Sequence, residues 1–193
     1  MHTERQIQII EAGLELISTK GIQALTIKNL SKKIGVTEPA IYRHFDNKIQ
    51  ILTTILDWLK YSSSKLFEEE VNTPGTAVEK ITHLFTNHFK ALVETPSLTS
   101  VIFSEEIFRN ESTLIEKMSE VIEHNNRILT SIVREGKRNN EIRDDIDAES
   151  LVIMIMGTLR LYIKKWQFSG MKFNLEKEGA KIINMLKVLI AKP

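Results

Sequence analysis

The 193-residue chain carries a net charge of +1, contains no cysteine and is 42% hydrophobic. This length and hydrophobic content suffice for a packed core, and the absence of cysteine excludes disulfides, thiolate metal sites and a cysteine nucleophile. A charge near zero gives no sign of a nucleic-acid partner, and no apolar run is long enough for a secretory signal or a membrane helix, so we expect a cytoplasmic protein.

Apolar residues recur at helical spacing along almost the whole chain, and no stretch alternates with the period of two that marks a strand. Glycine and proline interrupt this pattern where helices are expected to end. We therefore predict an all-α protein of about nine helices. They are expected at residues 3–19, 26–34, 38–45, 47–66, 77–94, 97–108, 112–137, 147–168 and 175–191.

The most informative stretch covers residues 25–45 and predicts two short helices joined by a tight turn. Thr26 is placed to cap the first helix, Gly35 to end it in a left-handed conformation, and Thr37 to cap the second. Ile41 anchors the second helix to the core. A helix this short, held on one side, leaves its N-terminal tip exposed, which is how a recognition helix enters the major groove of DNA.

The exposed side of this second helix carries groups suited to DNA. Pro39 and Ala40 are small enough for close approach and for contact with thymine methyl groups, and Arg43 can reach guanine or a phosphate. Lys48, at the start of the fourth helix, adds a positive charge where helix N–H groups already favour an anion. Glu38 is ambivalent, because a carboxylate accepts from cytosine N4 but is repelled by phosphate.

This stretch resembles the tetracycline-repressor (TetR/AcrR) family of bacterial transcriptional regulators. The residues that carry the resemblance are Ala12, Lys20-Gly21, Thr26-Ile27, Ile34-Gly35-Val36-Thr37, Ile41-Tyr42-Arg43-His44-Phe45, Lys48 and Leu52. Lys33 departs from the pattern, since the family has a small residue there, and we interpret it as solvated or facing DNA. The resemblance implies DNA contacts by Thr26, Lys28, Thr37, Glu38, Pro39, Ala40, Tyr42, Arg43, His44 and Lys48.

The resemblance also implies two domains. Residues 1–47 would form a three-helix, homeodomain-like helix-turn-helix domain, and residues 48–193 a helical ligand-binding and dimerisation domain. The predicted eighth helix opens with a run that is apolar on every side, which indicates a helix buried all round or placed at an interface. The residues predicted for a homodimer interface are Leu151, Ile155, Leu159, Trp166, Ile183, Leu186 and Ile190. Those predicted to line an apolar ligand cavity are Phe85, Phe89, Phe103, Phe108, Met154 and Tyr162.

The predicted function is that of a transcriptional repressor. It would bind a palindromic, double-stranded operator as a homodimer and be released by a small apolar or amphipathic effector. Two alternatives stay open: a ligand-independent DNA-binding protein of the same fold, and a small-molecule-binding helical protein with a non-functional DNA head. Nucleophile-elbow, P-loop and dinucleotide-binding motifs are missing from the sequence, so we predict no enzymatic activity, no cofactor and no metal site.

Overall fold

The computed structural model describes residues 3–104, 108–109 and 111–192. In this part of the chain the regular structure is helical, apart from one isolated bridge between Ile142 and Ala191, which confirms the predicted fold class. A short 3-10 turn, Ile22–Ala24, follows the first α-helix. The α-helices are α1 (Glu4–Lys20), α2 (Ile27–Ile34), α3 (Glu38–Tyr42), α4 (Lys48–Val71), α5 (Ala77–Glu94), α6 (Pro96–Ile102), α7 (Ser112–Arg138), α8 (Ala148–Phe168) and α9 (Leu175–Ile190).

Two helices differ from the predicted bounds by more than a turn. α4 continues to Val71, past the expected end near residue 66, because glutamate is a good helix former and Lys65 pairs with Glu69 one turn later at 3.8 Å. α6 ends at Ile102 instead of residue 108, and residues 105–107 of that prediction lie outside the described part of the chain.

The chain forms two compact units that do not follow the predicted boundary after residue 47. The first unit comprises Met1–Tyr61 and Thr95–Glu120, and the second comprises Ser62–Glu94 and Val121–Pro193. The reason is packing, because Leu98 of α6 and Leu114 of α7 are buried in the same cluster as the apolar faces of α1 to α4. The first unit is therefore discontinuous in sequence.

Each of the four N-terminal helices contributes a fully buried side chain to the core of the first unit. Ile9, Leu30, Ile41 and Ile51, from α1, α2, α3 and α4 respectively, each have 0% of their surface exposed. Burying an isoleucine or leucine side chain contributes about 1.5–3 kcal/mol. Packing of this kind holds the two short helices α2 and α3, which are too short to be stable alone.

The second unit contains α5, α8, α9 and the adjoining parts of α4 and α7. α9 packs against α5, and a Cβ atom added at Gly179 of α9 would lie 2.5 Å from Cε2 of Phe89, so this close approach requires glycine. Asp147 caps α8, its carboxylate accepting from the Ser150 N–H at 2.8 Å. In the described residues, none of the helices has the length and apolar character needed to cross a membrane.

Candidate nucleic-acid interface

The turn between α2 and α3 is built as the sequence predicted. Thr26 caps α2, its hydroxyl oxygen accepting from the Asn29 N–H at 3.1 Å. Gly35 ends α2 with φ +78° and ψ 34°, a left-handed conformation that glycine adopts without steric cost. The N–H groups of Gly35 and Val36 both donate to the carbonyl oxygen of Ser31, at 2.9 and 3.0 Å. The chain therefore reverses sharply and enters α3 at once.

Thr37 occupies the N-cap position of α3, but its side chain makes no capping hydrogen bond, which corrects the prediction that it caps the helix. Pro39 in the first turn has no backbone N–H, so one N–H fewer at the start of α3 needs a hydrogen-bond partner. At the other end the N–H groups of His44 and Phe45 donate to the carbonyl oxygen of Ile41. The Thr37 hydroxyl is thus available to an external partner at the tip of the helix.

The ten predicted DNA contacts lie on or beside these helices, and most of them face solvent. Ala40 and His44 are partly buried, and the other eight are exposed, including Tyr42 with half of its surface accessible. Basic side chains outnumber acidic ones in the exposed segment from α2 to the start of α4. They are Lys28, Lys32, Lys33, Arg43 and Lys48, against Glu38 and Asp46.

Most of the predicted contact side chains also lack partners inside the subunit. Among the described residues, no hydrogen bond or ion pair engages the side chains of Lys28, Tyr42, Arg43, His44 or Lys48. Polar groups left unpaired on a well-capped scaffold can donate to phosphate oxygens or to base edges without first breaking a contact. This segment is therefore chemically suited to a nucleic-acid backbone.

The first turn of α4 is capped independently of Lys48. The Asn47 side-chain oxygen accepts from the Gln50 N–H at 3.0 Å, and the Gln50 side chain accepts from the Asp46 N–H at 2.6 Å. Lys48 itself is exposed, and it stands at the positive end of the helix dipole. Its ammonium group and the helix N-terminus both favour an anion at this position.

Lys33, the departure from the family pattern, is exposed and forms an ion pair. Its ammonium nitrogen lies 2.5 Å from a carboxylate oxygen of Glu15, so the side chain ties α2 to α1. The residue remains exposed while it is paired with Glu15, which agrees with the solvated interpretation, and a contact of Lys33 with DNA stays a prediction.

The predicted dimer-interface residues lie on the faces of α8 and α9 that are buried inside the subunit. All seven are buried within the second unit and none exceeds 6% exposure, so they pack inside the subunit: Leu151, Ile155, Leu159, Trp166, Ile183, Leu186 and Ile190. The sequence could not distinguish the two faces because α8 is apolar on both. The large apolar side chains that these helices expose are Ile153, Met154, Leu161, Phe168, Met185, Val188 and Leu189.

The exposed face of α8 also contains Gly157. A Cβ atom at this position would have nothing within 4 Å. No contact among the described residues explains a glycine in the middle of this helix, where it costs about 1 kcal/mol relative to alanine.

The residues predicted for a ligand cavity are divided between the units. Phe85, Phe89 and Tyr162 belong to the second unit and are buried or partly buried, with the rings of Phe89 and Tyr162 6.2 Å apart. Phe173, which the sequence reasoning missed, extends this cluster, its ring lying 5.7 Å from that of Tyr162.

The other three predicted cavity residues lie elsewhere. Phe103 and Phe108 belong to the first unit, where Phe108 packs against the core cluster. Met154 is 54% exposed and so does not line the interior of the second unit. The predicted set therefore does not describe one cavity.

Two titratable groups of the second unit are perturbed by burial. Burial lowers the pKa of His88 from 6.5 to about 4, so this imidazole is neutral at pH 7. Burial also raises the pKa of the Tyr162 hydroxyl, and the nearby Glu178 carboxylate adds to that effect. Within the described ranges, histidine and carboxylate side chains form no group of three that could hold a metal ion.

Comparison with known families gives two matches that together cover most of the chain. A family profile described as bacterial regulatory proteins, tetR family, matches residues 9–55. A second profile, described as YsiA-like protein, C-terminal region, matches residues 63–189. The first match contains the whole α2–turn–α3 segment.

Individual relatives match over nearly their whole length. The fatty acid metabolism regulator protein of Bacillus subtilis is 26% identical over 182 residues, covering 94% of this chain and 93% of that protein. The fatty acid degradation regulator FadR of Bacillus halodurans superposes with a TM-score of 0.84 at 23% identity, covering 98% and 95% of the two chains. The transcriptional regulator FadR of Bacillus subtilis, in complex with stearoyl-CoA, superposes with a TM-score of 0.79 at 26% identity, covering 95% and 96%.

Proposed function

The chain belongs to the tetR family of bacterial regulatory proteins, and from this premise we propose that it is a repressor that binds a palindromic operator as a homodimer. A small apolar or amphipathic effector releases it. The observation that carries the DNA-binding part is the α2–turn–α3 segment, in which the side chains of Lys28, Thr37, Tyr42 and Arg43 have no hydrogen-bond or ion-pair partner among the described residues.

DNA binding is tested by selecting bound duplexes from a random pool and measuring affinity for the selected sequence. Tyr42→Phe removes one hydroxyl and no charge, so we expect weaker binding at every salt concentration, by about five- to 150-fold for two lost hydrogen bonds per dimer at about 0.5–1.5 kcal/mol each. Tyr61→Phe, on a tyrosine that is 69% exposed on α4, is the matched control. Unchanged affinity in both variants would contradict a role for the Tyr42 hydroxyl.

Homodimerisation is supported by the exposed apolar face of α8. Ile153, Gly157 and Leu161 follow one another at a spacing of four, so they lie in one line along the helix. Ile153 and Leu161 are 68% and 72% exposed, and the glycine between them leaves room for the backbone of a second helix. A two-fold axis at this line would pair two copies of the chain. Their two helix-turn-helix segments would then match the two half-sites of a palindrome.

Sedimentation velocity tests the dimer. Leu161→Glu would bury a charge in the interface, so we expect a monomer at micromolar concentration and weaker operator binding. The matched control is Val93→Glu on α5, a position 38% exposed, which should leave the dimer intact. A dimer that survives Leu161→Glu would place the interface elsewhere.

The effector is proposed from the relatives and from the buried rings of the second unit. One relative is called a fatty acid metabolism regulator protein and a related structure holds stearoyl-CoA, so a long-chain acyl-CoA is the first candidate. Phe89, Tyr162 and Phe173 supply apolar surface with a single polar handle. Such a ligand acts only if it binds the DNA-free state more tightly than the DNA-bound state.

Titrating the preformed operator complex with stearoyl-CoA tests this proposal. Release at micromolar ligand, with none from coenzyme A or from stearate, supports an acyl-CoA effector. Release by stearate as well would show that the acyl chain alone suffices. A complex that no apolar ligand dissolves would favour a ligand-independent DNA-binding protein of the same fold.

A further inference from the structure

A groove on the first unit takes no part in the DNA surface. One face of α1 supplies Ile7, Ile10 and Leu14, α4 supplies Trp58, and Ser97 lies at the start of α6. These residues and their neighbours enclose about 750 Å³. We call this feature the α1 groove.

The α1 groove exposes apolar surface that the first unit could have buried. Ile7 is 46% exposed and Trp58 is 43% exposed, although the core of the same unit buries isoleucines completely. A concave, mostly apolar site of about 300–1,000 Å³ is the size that small molecules occupy. The volume of the α1 groove therefore fits a small molecule better than a protein partner, which needs a broad surface of about 800 Å² on each side.

The acidic side chains of the α1 groove favour a positively charged small molecule. Glu11 and Glu15 stand one turn apart on α1 and line it, and among its described lining residues none is basic. Glu15 shares its charge with Lys33 of α2. The Glu11 carboxylate has no hydrogen-bond or ion-pair partner in the described part of the chain, so it can meet a ligand cation without losing another contact.

We propose that the α1 groove binds a cationic amphiphile, with an apolar body against Ile7, Leu14 and Trp58 and an ammonium group beside Glu11 and Glu15. The indole ring adds an attraction of its own, because a quaternary or protonated amine within about 6 Å of a tryptophan ring is stabilised by the ring's quadrupole. An anionic amphiphile of the same length would be repelled by the Glu11 carboxylate, which no basic side chain neutralises among the described residues. The site is separate from the aromatic cluster of the second unit, so it does not depend on the proposed effector.

Direct binding to the full-length protein tests this proposal. The probes are dodecyltrimethylammonium, dodecyl sulfate and dodecyl maltoside, which share one tail and differ in head-group charge, each below its micelle-forming concentration. Isothermal titration calorimetry gives the affinity, and tryptophan fluorescence reports on the groove. We expect one saturable site for the cation, at least about tenfold tighter than for the sulfate, with a fluorescence change that Trp58→Phe removes.

Variants separate the head-group contact from the tail contact. Glu11→Gln combined with Glu15→Gln should weaken binding of the cation by about tenfold and leave binding of the maltoside unchanged. Ile7→Gln, at a position already half exposed, should weaken binding of both. The matched controls on α7 are Glu116→Gln and Ile115→Gln, the latter at a position 48% exposed, and both should bind as the wild type does.

Three results would overturn the proposal. The first is equal affinity for the cation and the sulfate, and the second is an affinity for the cation that the double glutamine variant retains. The third is a change of oligomeric state in Ile7→Gln, seen by light scattering without ligand, because the α1 groove would then be filled by a second copy of the chain. Thermal melting of each variant checks that the fold is kept.

Discussion

Replacing Lys48 with glutamine isolates the charge at the start of α4. The side chain is exposed and has no partner among the described residues, and the helix is capped by Asn47 and Gln50 without it. The substitution therefore removes one positive charge and leaves stability nearly unchanged. Any effect on operator binding then reports on the contact with phosphate alone.

The expected effect is a change in salt dependence. Each phosphate neutralised by a lysine contributes about 0.9 to the slope of log affinity against log salt concentration. A dimer presents Lys48 twice, so Lys48→Gln should reduce the slope by about 1.8. Between 50 and 200 mM salt, a slope difference of this size changes the affinity ratio of wild type to variant by about twelvefold. The variant binds more weakly at low salt, and its deficit shrinks as salt is added.

Fluorescence anisotropy of a labelled operator at four salt concentrations measures both slopes. Lys90→Gln removes an exposed lysine from α5 and should leave the slope as in the wild type. Tyr42→Phe, which removes no charge, should lower affinity at a constant slope. If Lys48→Gln behaves like Lys90→Gln, Lys48 does not contact phosphate and the reasoning from the helix N-terminus fails.

Three further predictions concern stability. Gly35→Ala should destabilise the protein by about 1–2 kcal/mol and lower Tm in a thermal melt, because φ is +78° at this position. A Cβ atom there meets nothing within 4 Å, so the cost comes from the backbone conformation and not from a clash. Gly35→Asn, which tolerates this conformation, should cost less. Leu114→Ala should cost about 2–5 kcal/mol in urea unfolding, since the side chain is 0% exposed, whereas Val93→Ala, at a position 38% exposed, should cost little. His88 has a pKa of about 4 when folded and 6.5 as its ordinary value, so the unfolded chain takes up the proton first and stability falls as the pH drops from 6.5 to 4. The free energy of unfolding falls by up to about 3 kcal/mol over this range. Urea unfolding at pH 7 and 4.5 measures the fall, and His88→Gln should lack this part of it. An equal pH dependence of stability in the wild type and the variant would contradict the prediction.

The local signals in the sequence were sufficient for the helix-turn-helix. Capping residues, a left-handed glycine and an apolar anchor act over a few positions, so Thr26, Gly35 and Ile41 could be assigned their structural roles without a fold. The free Thr37 hydroxyl could not, because threonine at an N-cap position usually bonds to the helix it precedes.

The contacts between distant segments could not be derived in the same way. Leu98 and Leu114 complete the core of the first unit, and nothing in their own neighbourhoods links them to α1. The face of α8 that is buried inside the subunit could not be derived either. Leu151 and Leu161 are equally apolar, and the structure alone shows that one is 2% and the other 72% exposed.

The interrupted course of the first unit has a consequence for engineering. A segment cut after residue 47 would lack Ile51, Leu98 and Leu114, and would leave Ile9 and Leu30 without their neighbours. Exchanging the first unit between two regulators of this fold therefore requires transferring α6 and the first turns of α7 together with α1 to α4. The first unit can be transferred to another protein only as two separate stretches of chain.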